Sequence, residues 1–441
     1  MAVREPKAAG IRDIRHITVA YSKDTYRGHP RHCGSYNFGG GELAITYSKA
    51  PCFYQRADEV GHDFSYMERA DQVLLRSTDN GETWPESSEV AIWPRGAPID
   101  ELRARLWPDS ASDRTLHGSS TGGQDSAREE LDMRQPGACF FFGRCWAGKE
   151  MHDPYHTGRV VPHFITFSLR SVDKGRTWER VPTVIAPPAH QDSLLINAHP
   201  PVRLPDGTFL VVGTAGKGAD PAGRKEAVLY LTDDNGLSWE CITTIASDPT
   251  GTLGFTYNAL IMLPGGRLQC YMMSQIGFTS QGNLIWMNYS DDGGVTWSAP
   301  RPIHTLGHSP WVARRAPGSY SRPPTAKDPA GRPVQTFEPL PTGAAFYRSP
   351  FPLLLRDGRI VVTYGRRKPP YGMGCLVSED SGETWSADTV LRDDALCWDL
   401  GYPVTMELDD GRILTVYYYN LDDGNQFGGT RFIAGTFFRL V

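Results

Sequence analysis

The sequence predicts an all-β fold of repeated four-stranded units closed into a ring, and three observations predict it. One eight-residue pattern, Ser/Thr-x-Asp-x-Gly-x-Thr/Ser-Trp, recurs five times, at 77–84, 171–178, 232–239, 290–297 and 378–385. A second short pattern recurs between apolar runs: Leu204-Pro-Asp-Gly207, Leu263-Pro-Gly-Gly266, Leu355-Arg-Asp-Gly358 and Leu408-Asp-Asp-Gly411. Glycine (46) and proline (34) together make nearly a fifth of the 441 residues, the punctuation of many turns rather than of long helices. A chain of this length is within reach of one large all-β barrel or propeller.

Each residue of the octapeptide has a mechanical reason. The Asp accepts backbone N–H bonds across a turn, and the Gly takes a positive φ. The Trp buries a large ring and anchors the hairpin, so five of the 11 Trp are structural. The Leu-x-Asp/Gly-Gly pattern reads as a tight turn joining two strands. Gly39-Gly-Gly-Glu-Leu43 and the degenerate Gln135-Pro-Gly137 stand at the same place in the first two units.

The octapeptide is the Asp-box, and the chain resembles the sialidase superfamily of β-propellers over nearly its whole length. Each blade then runs strand A, Asp-Gly turn, strand B, loop, strand C, Asp-box turn, strand D. Blade 5 is expected at 349–356, 359–365, 373–378 and 387–392; blades 1, 3 and 4 at about 33–93, 198–246 and 257–303. Blade 6 has three strands, 402–408, 412–419 and 430–440, before the chain ends. Its fourth is expected from the N-terminal segment 14–21, which closes the ring and removes exposed edges. The expectation is a six-bladed β-propeller with Asp-box turns in one domain, 1–441, carrying a Pro/Arg-rich insertion at 305–347.

Composition excludes several classes. The net charge of -5 gives no basic field for nucleic acid. No apolar run approaches 18 residues, so no transmembrane helix is expected. Residues 1–13 are polar without an apolar core, which reads as cytoplasmic; secretion of a fuller precursor fits equally. The eight cysteines show no CxxC pair and read as buried or free thiols. No cofactor is expected. No HExxH or close-spaced ligand group argues for a metal, and Pro154 argues against a helical His152/His156 pair.

Strand order places the Asp-boxes and Asp-Gly turns on one face and the B–C and D–A loops on the other. The second face is where function is expected. The distance from the A–B Gly to the Asp-box is 36 and 34 residues in blades 1 and 2, against 25, 24 and 20 in blades 3 to 5. The first two blades therefore carry extended loops, holding His62-Asp63 and His152-Asp153. Insertions at 94–130 and 305–347 lie on the same face. The second reads as a lid, a pocket wall, a subunit contact implying a homo-oligomer, or a solvated loop.

The resemblance implies a pocket that binds a sugar carboxylate through arginines, with an Asp acid/base and a Tyr nucleophile polarised by a Glu. An Arg fork suits a carboxylate. Arg27 stands where the family often has an aromatic-Arg-Ile-Pro motif, although here Gly28-His29-Pro30 follows; Arg31 competes with it. Arg348 opens blade 5, and Arg366 and Arg367 end its second strand. Asp63 is similar in position to the family's acid/base, with His62 beside it as an alternative base. Asp399 and Tyr402 begin blade 6, Tyr402 as candidate nucleophile, and alternation sends only some of Tyr417, Tyr418 and Tyr419 inward. Glu338 and Glu150 are the candidate partners of the Tyr. His29, His32, His62, His152, His156 and His199 all fall on the functional face; with a Tyr and an Arg they would suit β-elimination at a uronic acid.

Three readings compete. The first is an exo-acting glycoside hydrolase on a terminal, acidic sugar, with an oligosaccharide or glycoside as its partner molecule. The second is a polysaccharide lyase using His, Tyr and Arg. The third is a non-catalytic carbohydrate-binding propeller.

Overall fold

The computed structural model describes residues 8–30, 34–55, 70–94, 128–152, 160–191, 193–196, 199–216, 225–248, 253–275, 284–303, 326–327, 333–334, 347–367, 369–424 and 428–441. These residues form six antiparallel sheets in chain order, plus a two-residue ladder between Ala326–Lys327 and Pro333–Val334. Among them there is no α-helix, only a 3-10 turn at Glu86–Ser88. The rest of the 305–347 insertion before Tyr347, and all of 94–130 except Pro94 and 128–130, lie outside the described residues.

Blade 1 is built from an interrupted inner strand (Thr25–Gly28, Ser35–Asn37) followed by Leu43–Pro51, Asp71–Ser77 and Val90–Trp93. Blade 2 shows Cys139–His152, Val160–Ser171 and Thr183–Ile185. The inner strand of blade 3 is Ser193–Ile196 with Val202–Arg203; Phe209–Gly216, Lys225–Thr232 and Glu240–Ala246 follow. Blade 4 is Gly254–Met262, Leu268–Gln275, Ile285–Ser290 and Arg301–Pro302. Blade 5 is Tyr347–Leu354, Ile360–Arg366, Gly372–Ser378 and Thr389–Arg392. Blade 6 is Gly401–Glu407, Ile413–Asn420 and Arg431–Leu440, and Ile11–Ala20 pairs antiparallel with its last strand, Ile17 opposite Gly435. The N-terminal strand thus closes the ring. The inner strands of blades 1 and 3 begin earlier than the turn spacing implied, because each is split by an irregular stretch.

The core is six inter-blade layers. One joins blades 6 and 1 (Leu414, Val416, Ile45, Leu75), the next blades 1 and 2 (Leu74, Trp93, Phe141, Phe167), and so on round the ring. Burying both faces of each sheet explains why the middle strands read as continuous apolar runs. The octapeptide turns seal these layers at one end. Ser77 donates to Asp79 at 2.7 Å, and Thr83 donates to the same carboxylate through its N–H at 2.9 Å and its hydroxyl at 2.5 Å. The Gly of the turn has a second duty. At Gly294, φ is +96° and an added Cβ would lie 2.4 Å from Leu229 of blade 3, so no side chain fits against the preceding blade.

Candidate active site

The inner strands carry an irregularity at the end opposite these turns. Register shifts fall between Thr256 and Ala259, Arg348 and Phe351, and Gly401 and Val404. Each shift holds a non-glycine residue at positive φ: Tyr257 (+54°), Ser349 (+58°) and Tyr402 (+53°); His29 (+57°) interrupts blade 1 likewise. Such positions cost on the order of 1–3 kcal/mol each and cluster where a side chain must be aimed. Here they aim side chains at the axis.

Arg348 is the hub. Its Nη2 donates to the Tyr402 hydroxyl at 2.6 Å and to the Tyr257 hydroxyl at 2.7 Å, and its Nε reaches Tyr402 at 3.2 Å. The two phenol oxygens are 2.8 Å apart. The guanidinium also lies over the Tyr257 ring, 4.5 Å from its centroid. Burial disfavours the charge of Arg348, but Tyr257 and Tyr402 more than offset this and hold its pKa above the ordinary value. The neighbouring hydroxyl of Ser349 is buried and has no hydrogen-bond partner among the described residues. Half-buried Lys225 opens the third strand of blade 3. Its pKa is lowered to about 8, first by burial and then by the positive charges of Arg348 and Arg144.

Behind Tyr402 lies a second buried network. Arg367 donates to the Leu400 carbonyl (2.8 Å) and the Tyr418 hydroxyl (2.9 Å), with its guanidinium 5.5 Å from the Tyr402 ring centroid. Tyr418 donates to Asp399 Oδ1 at 2.7 Å, and Arg431 Nε donates to Asp399 Oδ2 at 2.9 Å. Burial, followed by the charge of Asp399, pushes the Tyr418 pKa well up, so it stays a donor. The His29 ring meets Tyr402 edge-on at 5.0 Å and tilts against Tyr418 at 4.9 Å.

Among the described residues, side chains join two pairs of blades that are not neighbours. Tyr257 of blade 4 meets Tyr402 of blade 6, and His199 Nε2 of blade 3 lies 3.0 Å from the Pro352 carbonyl of blade 5. A contact between inner strands two blades apart crosses the face of the blade between them, next to the axis. Pro352 is four residues beyond Arg348 along its strand, roughly 10 Å deeper. The axis is thus bridged at two depths.

The sequence-derived candidates separate accordingly. Arg348 and Tyr402 are brought together, and His199 lies below them. Asp399 sits behind the cluster, 2% exposed with both oxygens occupied, which makes it a support for Tyr418 and Arg431 rather than a group facing a ligand. Arg366 turns away to Asp388 (3.4 Å) of its own blade; its neighbour Arg367 is the inward one, as period-2 alternation requires. Arg27 pairs with Glu86 at 2.6 Å and with Thr25, apart from the Arg348 cluster. Arg31, His32, His62, Asp63, His156 and Glu338 lie outside the described residues, as do the side chains of His152 and Glu150. Of the tyrosines ending the second strand of blade 6, Tyr418 points to the cluster, while Tyr417 and Tyr419 face Thr436 and Asp394.

Sequence reasoning missed Tyr257 and Lys225. A signal for Tyr257 exists: Gly266, Gly358 and Gly411 each stand nine residues beyond Tyr257, Ser349 and Tyr402. Counting back nine from the turn Gly finds the irregular residue of the inner strand in blades 4, 5 and 6.

Comparison with known proteins agrees with this architecture. Residues 156–306 match the BNR repeat-like domain. No curated protein matches by sequence. A protein of unknown function from Dyadobacter fermentans superposes with a TM-score of 0.63 at 19% identity, covering 98% of this chain and 100% of that one. The Hadza microbial sialidase Hz136 gives 0.53 at 16% identity, over 97% of this chain and 68% of the sialidase. A Trypanosoma rangeli sialidase, solved with 2,3-difluorosialic acid as a covalent intermediate, gives 0.50 at 11% identity, over 97% of this chain and 59% of that one. With five octapeptide turns, six blades and these similarities in structure, the chain has the sialidase-like six-bladed β-propeller fold, with a BNR repeat-like stretch at 156–306.

Proposed function

We propose that the protein is a carbohydrate-active enzyme, a glycoside hydrolase that removes a terminal, acidic sugar. The observation that carries this reading is Arg348 bridging two phenol oxygens, at 2.6 and 2.7 Å, on the propeller axis. A phenol is a weak nucleophile at neutral pH. A guanidinium already in place offsets the negative charge that grows on the oxygen as it loses its proton, without reorganisation at the moment of reaction. A covalent glycosyl intermediate, as captured in the Trypanosoma rangeli sialidase, is the step such an oxygen would perform. Lys225 and Arg144 add positive charge beside Arg348, which suits a carboxylate on the sugar. An axis bridged by Tyr257–Tyr402 and again by His199–Pro352 suits a blind pocket, and a blind pocket takes a chain end. Asp63 is proposed as the acid that protonates the leaving oxygen.

A second reading is favoured by one feature. Among the described residues, the carboxylate in this cluster, Asp399, is held by Arg431 and Tyr418. Phenols, His29 and cations without an available carboxylate are the set that β-elimination of a uronic acid uses. The two are separated by incubating the protein with aryl glycosides, sialosides and uronic-acid polysaccharides, with Asp63→Ala as control. Release of the aglycone, abolished in Asp63→Ala, is the expected result. New ultraviolet absorbance from an unsaturated uronate would replace hydrolase by lyase. Binding without turnover of any of them would leave a carbohydrate-binding propeller.

A further inference from the structure

We infer that Tyr257, contributed by blade 4, is the phenol presented to the substrate, and that Tyr402 is the positioning residue that holds it. This rests on the hydrolase reading for the identity of the electrophile, and on geometry for the choice of oxygen. Exposure separates the pair. Tyr402 is 1% exposed and Arg348 8%, whereas Tyr257 is half-buried. Tyr402 receives the two-nitrogen fork of Arg348, Nε and Nη2, while Tyr257 receives Nη2 alone. Tyr402 is also enclosed by the rings of His29 and Tyr418 and by the Arg367 guanidinium. The tightly gripped phenol is the deep one.

Tyr257 is nevertheless fixed. Its backbone sits at φ +54° inside the register shift, and the next residue pins that shift to blade 3. Buried Asn258 donates from Nδ2 to the Gly213 carbonyl at 2.7 Å and reaches Thr214 Oγ1 at 3.2 Å. The Tyr257 ring lies under the Arg348 guanidinium, and its oxygen is 2.8 Å from that of Tyr402. The phenol is thus held from the ring face, from Arg348 and from Tyr402.

In the first step the Tyr257 oxygen bonds to the anomeric carbon as the glycosidic C–O bond breaks, and that bond's electron pair leaves on the aglycone oxygen. The phenolic proton of Tyr257 is lost to water while Tyr402 keeps its own, and the aglycone oxygen takes up a proton. Water then hydrolyses the sugar–Tyr257 bond and the phenolic proton of Tyr257 is restored. The net change is addition of one water across the glycosidic bond. Tyr402 and Arg348 touch the reacting oxygen but form no bond to the sugar.

The test uses the full-length protein in two arms. In the first, the wild type is treated with N-acetylimidazole and its peptides are mapped by mass spectrometry. Acetyl on Tyr257 with Tyr402 unmodified is expected; acetyl on Tyr402 with Tyr257 unmodified overturns the inference, whatever reaction the protein performs. In the second, Tyr257→Phe is expected to lower kcat on an aryl glycoside by about 10³-fold or more, with KM nearly unchanged. Tyr402→Phe is expected to lower it about tenfold, the loss of one hydrogen bond to the reacting group. A fluorinated activated glycoside is expected to leave its adduct on the Tyr257 peptide in the wild type and in Tyr402→Phe. An adduct on Tyr402, or a smaller loss in Tyr257→Phe than in Tyr402→Phe, overturns the inference. Acetylation at Tyr257 together with no cleavage of any aryl glycoside would remove the hydrolase reading and leave Tyr257 as the presented phenol.

Discussion

The two ends of the propeller use the same backbone device for different ends. At the octapeptide turns, positive φ falls on Asn80, Lys174, Asn235 and Ser381, each followed by a positive-φ Gly. At the opposite end it falls on His29, Tyr257, Ser349 and Tyr402. In the turns the side chain at that position is immaterial: an amide, an ammonium and a hydroxyl all occupy it, and blade 4 has Gly293 there. What repeats is the Asp carboxylate, bonded the same way in all five turns. In the inner strands the side chain is what the distorted backbone delivers: His from blade 1, Ser from blade 5, and from blades 4 and 6 two Tyr that play different parts. A repeated end is redundant, so a change there costs one turn. An end assembled from single contributions loses its whole arrangement with one residue.

The largest expected effect tests this directly. Asp399→Ala leaves Arg431 buried without its carboxylate and Tyr418 without its acceptor. Breaking a buried pair in this way costs about 3–5 kcal/mol. Asp380→Ala, in a repeated turn at the other end, removes a capping carboxylate worth roughly 1 kcal/mol. Urea unfolding of the two variants beside the wild type measures both. Equal midpoints would break the comparison.

Chemistry comes next in size. Arg348→Lys keeps the charge but cannot reach two phenols with one fork. The expected loss is about 10²–10³-fold in kcat on the cleaved glycoside, the size seen when one preorganised donor is removed. Near-native unfolding behaviour with that loss would locate the effect in the Tyr257–Tyr402 pair. Unchanged turnover would show that the hub is structural, like the turns.

The same contrast explains what could be read in advance. The turn end was legible because it repeats: five copies fix the octapeptide, four fix the Leu-x-Asp/Gly-Gly turn, and the missing outer strand of blade 6 points to the N-terminal segment. The site was legible only where chemistry stands out in a short motif, as with Arg348 and Tyr402. Arg366 and Arg367 stand on equal terms in the sequence, because alternation names a face only once the strand's register is known. The supporting role of Asp399 is not legible, because sequence does not show that Arg431, 32 residues later, lies beside it. Tyr257 was passed over because a Tyr in an apolar strand reads as core, and only the nine-residue spacing to the turn Gly marks it.

A smaller effect concerns pH at the axis. Lys225, lowered to about 8 by burial and then by Arg348 and Arg144, is protonated below that value and neutral above it. A carboxylate on the substrate therefore meets one positive charge fewer as pH rises through about 8. KM for an acidic glycoside is expected to rise across that interval. Lys225→Met is expected to raise KM about tenfold at neutral pH, the loss of one charge-assisted contact, and to flatten the dependence. A neutral analogue of the same sugar should show neither change. A pH profile that Lys225→Met leaves untouched would assign the carboxylate to other groups.

The smallest effect returns to the turns. The Asp292 pKa is lowered to about 2, chiefly by the Thr296 hydroxyl and then by the Thr296 N–H and Ser290. An unfolded Asp titrates near 3.9. Because the folded value is the lower one, the stabilisation is fully present above about pH 4 and is lost as pH falls through about 2. Asp292→Asn should therefore be less stable than the wild type at pH 6, and the gap should close between about pH 4 and pH 2. Four equivalent turns remain intact in that variant, so its glycoside turnover at pH 6 should match the wild type. A gap that persists at pH 2 would mean that Asp292 acts through shape rather than charge. A loss of turnover at pH 6 would mean that the two ends of the propeller are coupled, against the division of labour drawn from their backbones.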